Sequence, residues 1–372
     1  MDTEKSKDSN ERASRPCDDH RAEDRRDKKQ ASPSMSGACF INKVLNGMSI
    51  GIVAALVPSA ILGELCKVLG LTGLVSITTM ATRLSTAAMG LCIAYQLGLK
   101  PIHAVSLTIA TMIGSGALVM REGVLVLAGM GDIVNAALTA IIASAMLLWI
   151  GNRFKSYSMI LIPTLVVAIC GMTGLFTLQY VAMLTAAIGR FIAWCTTLQP
   201  VLMGALISMS FCLIIMSPFS TVAIALAISL SGIGSGAANL GICAAGFGLA
   251  IAGFEKNGWG TSLASVLGSP KLYMANFLRK PLIGLPLLCN ALVLGVLAGI
   301  FGIVGTPMSA GFGISGLVGP LNHLGIVGYS VKNILVATLM FIALPIILGF
   351  LFKSIFLSLT KVIDSDDYAI EQ

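Results

Sequence analysis

Between Ala31 and Ile363 the chain carries only four carboxylates: Glu64, Glu122, Asp132 and Glu255. No water-exposed surface of that length can be covered by so little charge. The chain has 41 charged residues, but 18 of them, nine of each sign, crowd into the first thirty positions. Soluble domains average about 25% charged residues, whereas this sequence has 11%, with 56% hydrophobic. Lipid is therefore its solvent. The alternating pattern of a membrane β-barrel is absent, so the fold class is an all-α polytopic membrane protein.

The same distribution removes other classes. The basic residues stand singly between apolar runs, which is no nucleic-acid footprint. The nine cysteines form no CxxC pair and show no metal-ligand spacing, and they read as small apolar packing residues. There is no Walker loop, GxSxG, HExxH or pair of carboxylates at helical spacing, so no catalytic residue, metal or cofactor is indicated.

Residues 1–34 form a polar tail with nothing to bury, which composition assigns to disorder. Met35 opens MSGACFINKVLNG, a natural beginning for a membrane protein, and no function is assigned to the tail. Residues 35–363 form one transmembrane domain and 364–372 a short polar end. Segments long enough to cross a ~30 Å core fall near 44–63, 71–97, 102–120, 123–150, 157–176, 178–198, 201–230, 232–254, 282–304 and 331–356. That makes about ten helices. With a cytoplasmic N-terminus, inside positions collect Lys43, Lys100, Arg153, Lys155, Lys256, Lys271, Arg279, Lys280, Lys353 and Lys361, against Lys67, Arg121 and Lys332 outside. The positive-inside rule then places both termini in the cytoplasm, with Trp149, Trp194 and Trp259 near that interface.

Two stretches, 231–253 and 305–325, concentrate glycine and small polar residues. Such backbone survives at membrane depth only inside protein or beside a wet cavity, where transporters place their substrate sites. Tight packing plus an external loop is the plainer alternative. The pair of clusters points to broken or re-entrant segments that bind or gate, with Asn239, Asn276, Thr306, Ser309, Ser315 and His323 as candidate solute ligands. Amides suit neutral hydroxyl-rich solutes because they both donate and accept. Ser217, Pro218, Gly236, Pro307, Gly311, Gly313 and Gly316 are the candidate gating and backbone positions. Arg83 and Arg190 fall inside spans, where a charge costs roughly 2.5–3.5 kcal/mol and so is expected to face the bundle interior, with Glu64, Glu122 and Asp132 as possible counter-charges; the plainer alternative is a span boundary that puts them near an interface, where the long side chain snorkels. The longest polar connection, 255–280, reads as a cytoplasmic loop suited to docking a soluble partner.

Four strings, NKVLNGMSIGIVAALVPSAILGEL, MSPFSTVAIALAISLSGIGSGAANLGICAAG, GSPKLYMANFLRKP and GTPMSAGFGISGLVGP, resemble the enzyme IIC-like membrane family of the bacterial phosphotransferase system, including its perfringolysin-regulator-like group. The resemblance runs from about Met35 to about Thr360. Beyond the candidate residues above, its strings take in Ser220, Gly268, Ser269, Pro270 and Lys271. It implies a permease of the bacterial inner membrane that moves a sugar inward while soluble IIA and IIB proteins phosphorylate it, and often a homodimer. Sugar-transporting members resemble one another in a Gly-Ile-Thr-Glu-like string; here Gly313-Ile314-Ser315-Gly316 stands in its place without the carboxylate. The 34-residue tail and the short polar end are too small for a IIA or IIB domain, so these are expected as separate proteins. The alternatives are a membrane sensor or regulator that binds without translocating, and a carrier for a non-sugar solute.

Overall fold

The computed structural model describes residues 37–151, 153–360 and 362–370. The polar tail, Met35 and Lys361 lie outside the described residues, as do the side chains of Glu64 and Lys67. Helix α1 covers Gly37–Val68. Helices α2 (Thr72–Arg83) and α3 (Ser85–Gln96) meet at a 51° bend. Pro101 opens α4 (Pro101–Gly114), where its missing N–H costs nothing. At 1.5 Å per residue α4 is about 21 Å long, short of the hydrocarbon thickness.

A hairpin follows, a departure from the all-helical expectation for 102–150. Strands β1 (Leu118–Arg121) and β2 (Val124–Leu127) pair antiparallel, Arg121 opposite Val124. Glu122 and Gly123 both take positive φ, 50° and 79°, the geometry of a tight two-residue hairpin turn. Asp132 is not a counter-charge to a buried arginine. It caps α5 (Ile133–Ile150) by accepting the Asn135 N–H at 2.9 Å. Inside the bundle the Asn135 amide donates to the Gly114 and Gly174 carbonyls and accepts from Thr177 Oγ1.

Helix α6 (Ser158–Cys195) runs unbroken where two spans, 157–176 and 178–198, were assigned by length. At about 57 Å it is longer than the whole bilayer, and Phe176-Thr177-Leu178 contains no residue that breaks a helix. The second half comprises α7 (Pro200–Met216), the short α8 (Thr221–Ala227), α9 (Gly232–Gly268), α10 (Met274–Arg279), α11 (Pro281–Phe301), α12 (Val318–Val327) and α13 (Val331–Leu359). Among the described residues six helices are long and apolar enough to cross a membrane, seven if the bent α2–α3 pair is one span. Two shorter apolar helices, α4 and α7, accompany them. The ten assigned segments thus resolve into fewer full-length spans plus short and broken pieces.

The folding of α9 positions everything else. It rises from Gly232 through the centre of the bundle, its residues 234–246 all buried, to Gly258, where φ of +70° reverses the chain. Residues 259–268 then run back along the limb they left. Ser262 Oγ donates to the Ala250 carbonyl at 3.2 Å and Ser265 Oγ to the Gly246 carbonyl at 3.3 Å. The 255–280 connection is therefore no free loop: it re-enters the bundle as a hairpin. A second hairpin enters from the other end. Gly232 and Gly305 exchange backbone hydrogen bonds at 2.9 and 3.0 Å, after which 306–317 descends beside α9.

At the Gly258 end, residues 362–370 are packed rather than loose. The Tyr368 ring is buried, and its hydroxyl donates to the Ile283 carbonyl. The Asn257 amide donates to the Tyr368 carbonyl at 2.7 Å and accepts the Ile370 N–H at 2.9 Å. Lys256 pairs with Asp366, and Lys280 with Asp367. Arg279 donates to Asn46 Oδ1 at 3.0 Å, which brings the Asn46 turn of α1 to this same end. An Asn257→Ala substitution is expected to orphan buried backbone groups at a cost of about 1–3 kcal/mol. The expected result is selective cleavage after Ile363 in limited proteolysis, with the transmembrane body intact.

Candidate functional site

The two hairpins meet beside the middle of α9. Ser315 Oγ donates to the Gly268 carbonyl at 2.8 Å, joining the tip of one to the tip of the other. Around this junction lies a cavity of about 200 Å³. At roughly 30 Å³ per molecule it has room for about seven waters, the scale of a monosaccharide. Its polar walls are Ser220 and Thr221, then Ser269 and Lys271, then Ser315. The first half of the chain closes it with Leu56, Thr82, Met130 and Ile133.

Among the described residues Lys271 is the one charged side chain lining the cavity, and the break at Ser217-Pro218 explains its place. Helix α7 ends there, so its last carbonyls lack partners within the helix and carry the negative end of the dipole. The Lys271 ammonium donates to the Ser217 carbonyl at 2.6 Å and to the Phe219 carbonyl at 2.8 Å. Ser220 then caps α8, its Oγ accepting the Ala223 N–H, and Thr221 Oγ1 donates to the Gly311 carbonyl at 3.0 Å. Ser269 Oγ accepts the Lys271 N–H.

The structure separates the other candidate residues from this cavity. Asn239 accepts the Gly313 N–H at 3.0 Å and lies 3.4 Å from Ser309 Oγ, fastening the second hairpin to α9. Ser309 Oγ in turn accepts the Thr306 N–H, with Asn322 Oδ1 as a second acceptor for that group. Pro307 sits in the turn this network encloses. The His323 Nδ1 accepts the Val304 N–H at 3.1 Å, so the ring supports the loop. Asn276 donates to the carbonyls of Asp367 and Ala369 and holds the C-terminal segment. Of the six candidate ligands, only Ser315 lines the cavity.

Among the backbone positions, Gly311 is part of the wall. Gly236 lies where any Cβ would meet the Ile303 carbonyl, so its role is close helix–loop approach. Gly313 and Gly316 have φ of 61° and 60° and shape the hairpin tip. Arg83 and Arg190 do not face the interior: both are exposed on the chain's outer surface. Arg83 stands at the α2–α3 bend and donates to the Leu127 carbonyl at 3.1 Å. Near helix ends a long cationic side chain reaches the interface without burial.

Lys271, Ser220, Ser269 and Thr221 were missed as site residues. The signal was a lysine inside Gly-Ser-Pro-Lys, a turn-forming run between apolar stretches, which a cytoplasmic assignment of 255–280 hides. A family model described as "Phosphotransferase system, EIIC" matches residues 42–370. No curated protein and no solved structure matches the chain.

Proposed function

The chain belongs to the phosphotransferase-system EIIC family, the membrane permease component that works with IIA and IIB proteins, and from that premise we propose that it carries a sugar-type solute through the cavity between the two hairpins. The observation that supports this is their meeting at Ser315 and Gly268: two broken segments, entering from opposite ends, border one small pocket beside a buried helix, mostly apolar with a few hydroxyls and Lys271 in its wall. Opening either hairpin exposes the pocket to one side alone, as alternating access requires.

The end bearing Lys256, Arg279, Lys280 and Lys353 is the cytoplasmic one on the positive-inside rule, in a bacterial cytoplasmic membrane. The Asn46 turn of α1 and the 362–370 segment lie together there, consistent with both termini facing the cytoplasm. The turn at Gly258, with Trp259 exposed beside it, is where the soluble phosphotransfer proteins dock.

Reconstituted vesicles test this. Labelled aldoses and their acid derivatives are expected to accumulate in phosphorylated form only when phosphoenolpyruvate and the soluble phosphotransfer proteins are enclosed on the Lys256 side. Solute binding without uptake in the complete system would instead make the chain a membrane sensor.

A further inference from the structure

The hairpin that carries Ser269 leaves α9 at Gly258 and rejoins the bundle through α10 and the start of α11 at Ile283. Residues 364–370 lie across that mouth and are bound on both sides of it. On the entry side, the Asn257 amide donates to the Tyr368 carbonyl at 2.7 Å and accepts the Ile370 N–H at 2.9 Å. Lys256 pairs with Asp366 beside it. On the exit side, the Asn276 amide donates to the carbonyls of Asp367 and Ala369 at 2.9 and 2.7 Å. Lys280 pairs with Asp367, and the Tyr368 hydroxyl donates to the Ile283 carbonyl at 3.2 Å. Between the two sides, the buried Tyr368 ring stands edge-on to Tyr273 of the hairpin's second limb, their centroids 6.5 Å apart.

The body holds this segment much as it would hold a bound peptide. Two carboxamides take its backbone groups, and of residues 364–370 only Tyr368 is buried. A single 3₁₀ turn, Ser365–Tyr368, is its regular structure. Both ion pairs have partly exposed partners, where such pairs contribute little. One ring and a handful of hydrogen bonds can let go without unfolding the bundle, as the least stable elements of a fold do. The hairpin has no such freedom while they hold. If its second limb swings away from α9, Asn276 and Tyr273 part from Asn257, and one short segment cannot stay bonded to both.

We infer that residues 364–370 are a clasp on this hairpin. Bound, they keep its two ends together and the Ser269 cavity shut on the Gly258 side; released, they let the hairpin open. The inference deepens the transport reading and rests on it in taking the hairpin as the element that moves.

The test follows the rate at which a membrane-impermeant methanethiosulfonate modifies Ser269→Cys in a cysteine-free background, in lipid nanodiscs and without solute. Modification of a transiently exposed thiol tracks the population of the open form. Ending the chain after Ile363 should speed it about tenfold or more, and Tyr368→Ala should give an intermediate rate. Cys212, buried in α7, serves as the control when it is the lone thiol: it should stay unmodified in the same variants, because the bundle remains folded. Equal rates at Ser269→Cys with and without the segment overturn the inference. So does a parallel rise at Cys212, which would make the segment a plain packing element. Should the shortened chain not fold, Tyr368→Ala with the same two thiols decides. Faster modification that leaves uptake untouched would keep the clasp and remove the transport path. Unchanged modification in a protein whose uptake is blocked by the adduct would remove only the clasp.

Discussion

Replacing Gly204 or Gly295 with valine is expected to destabilise the protein by about 3 kcal/mol or more and to remove most monodisperse protein from a detergent extract. Lipid tails are as apolar as leucine, so helices in a bilayer gain no hydrophobic drive from packing together. They associate through close contact, which small residues permit. Helices α7 and α11 cross with Gly204 and Gly295 face to face: a Cβ on either would run into the other's carbonyl. One turn along, Gly299 lies against the Pro200 carbonyl, and Gly241 of α9 against that of Ser208. Ser208 Oγ donates to the Ala291 carbonyl at 2.7 Å across the same seam. Backbone cannot shift as a side chain tip can, so valine must part the helices. Gly325, on α12, has nothing within 4 Å of a built Cβ. Gly325→Ala is the control, expected to move the unfolding midpoint little.

Met130→Trp is expected to lower uptake tenfold or more, by the reconstituted assay, while the unfolding midpoint stays near wild type. Met130 lines the cavity from the connection before α5 and is only half-buried, so the larger ring has open space to enter. On the proposed transport path that space is where the solute passes. A loss of folding and uptake together would assign Met130 to packing. A folded variant with full uptake would place the pathway elsewhere.

The membrane class was legible because the charge deficit leaves no other solvent for these apolar segments. Of the two glycine-rich clusters, 305–325 is irregular backbone as expected, whereas 231–253 is continuous helix up to the turn at Gly258, its glycines serving close packing; both are wall or support of the cavity. Other features depend on contacts between residues far apart in the chain. Nothing local says that Gly258 reverses α9, because a positive φ at glycine has the same sequence signature as a glycine packed against a neighbouring helix. That reversal turns a polar connection into the hairpin carrying Ser269 and Lys271. For the same reason Asn239 and Asn276 read as ligands: an amide beside glycines suits a solute or a backbone equally, and only the fold shows the Gly313 N–H and the Asp367 carbonyl waiting for them. Arg83 looked buried because span boundaries drawn from hydropathy run past the α2–α3 bend.

The central claim is that solute passes between the two hairpin tips. The most direct measurement is thiol labelling of a Ser269→Cys variant in a cysteine-free background, with a membrane-impermeant methanethiosulfonate added to vesicles that hold the complete phosphotransfer system. The account predicts labelling of the introduced thiol, loss of uptake as labelling proceeds, and protection by the transported solute. Labelling that leaves uptake unchanged, or that proceeds equally with and without solute, would contradict it.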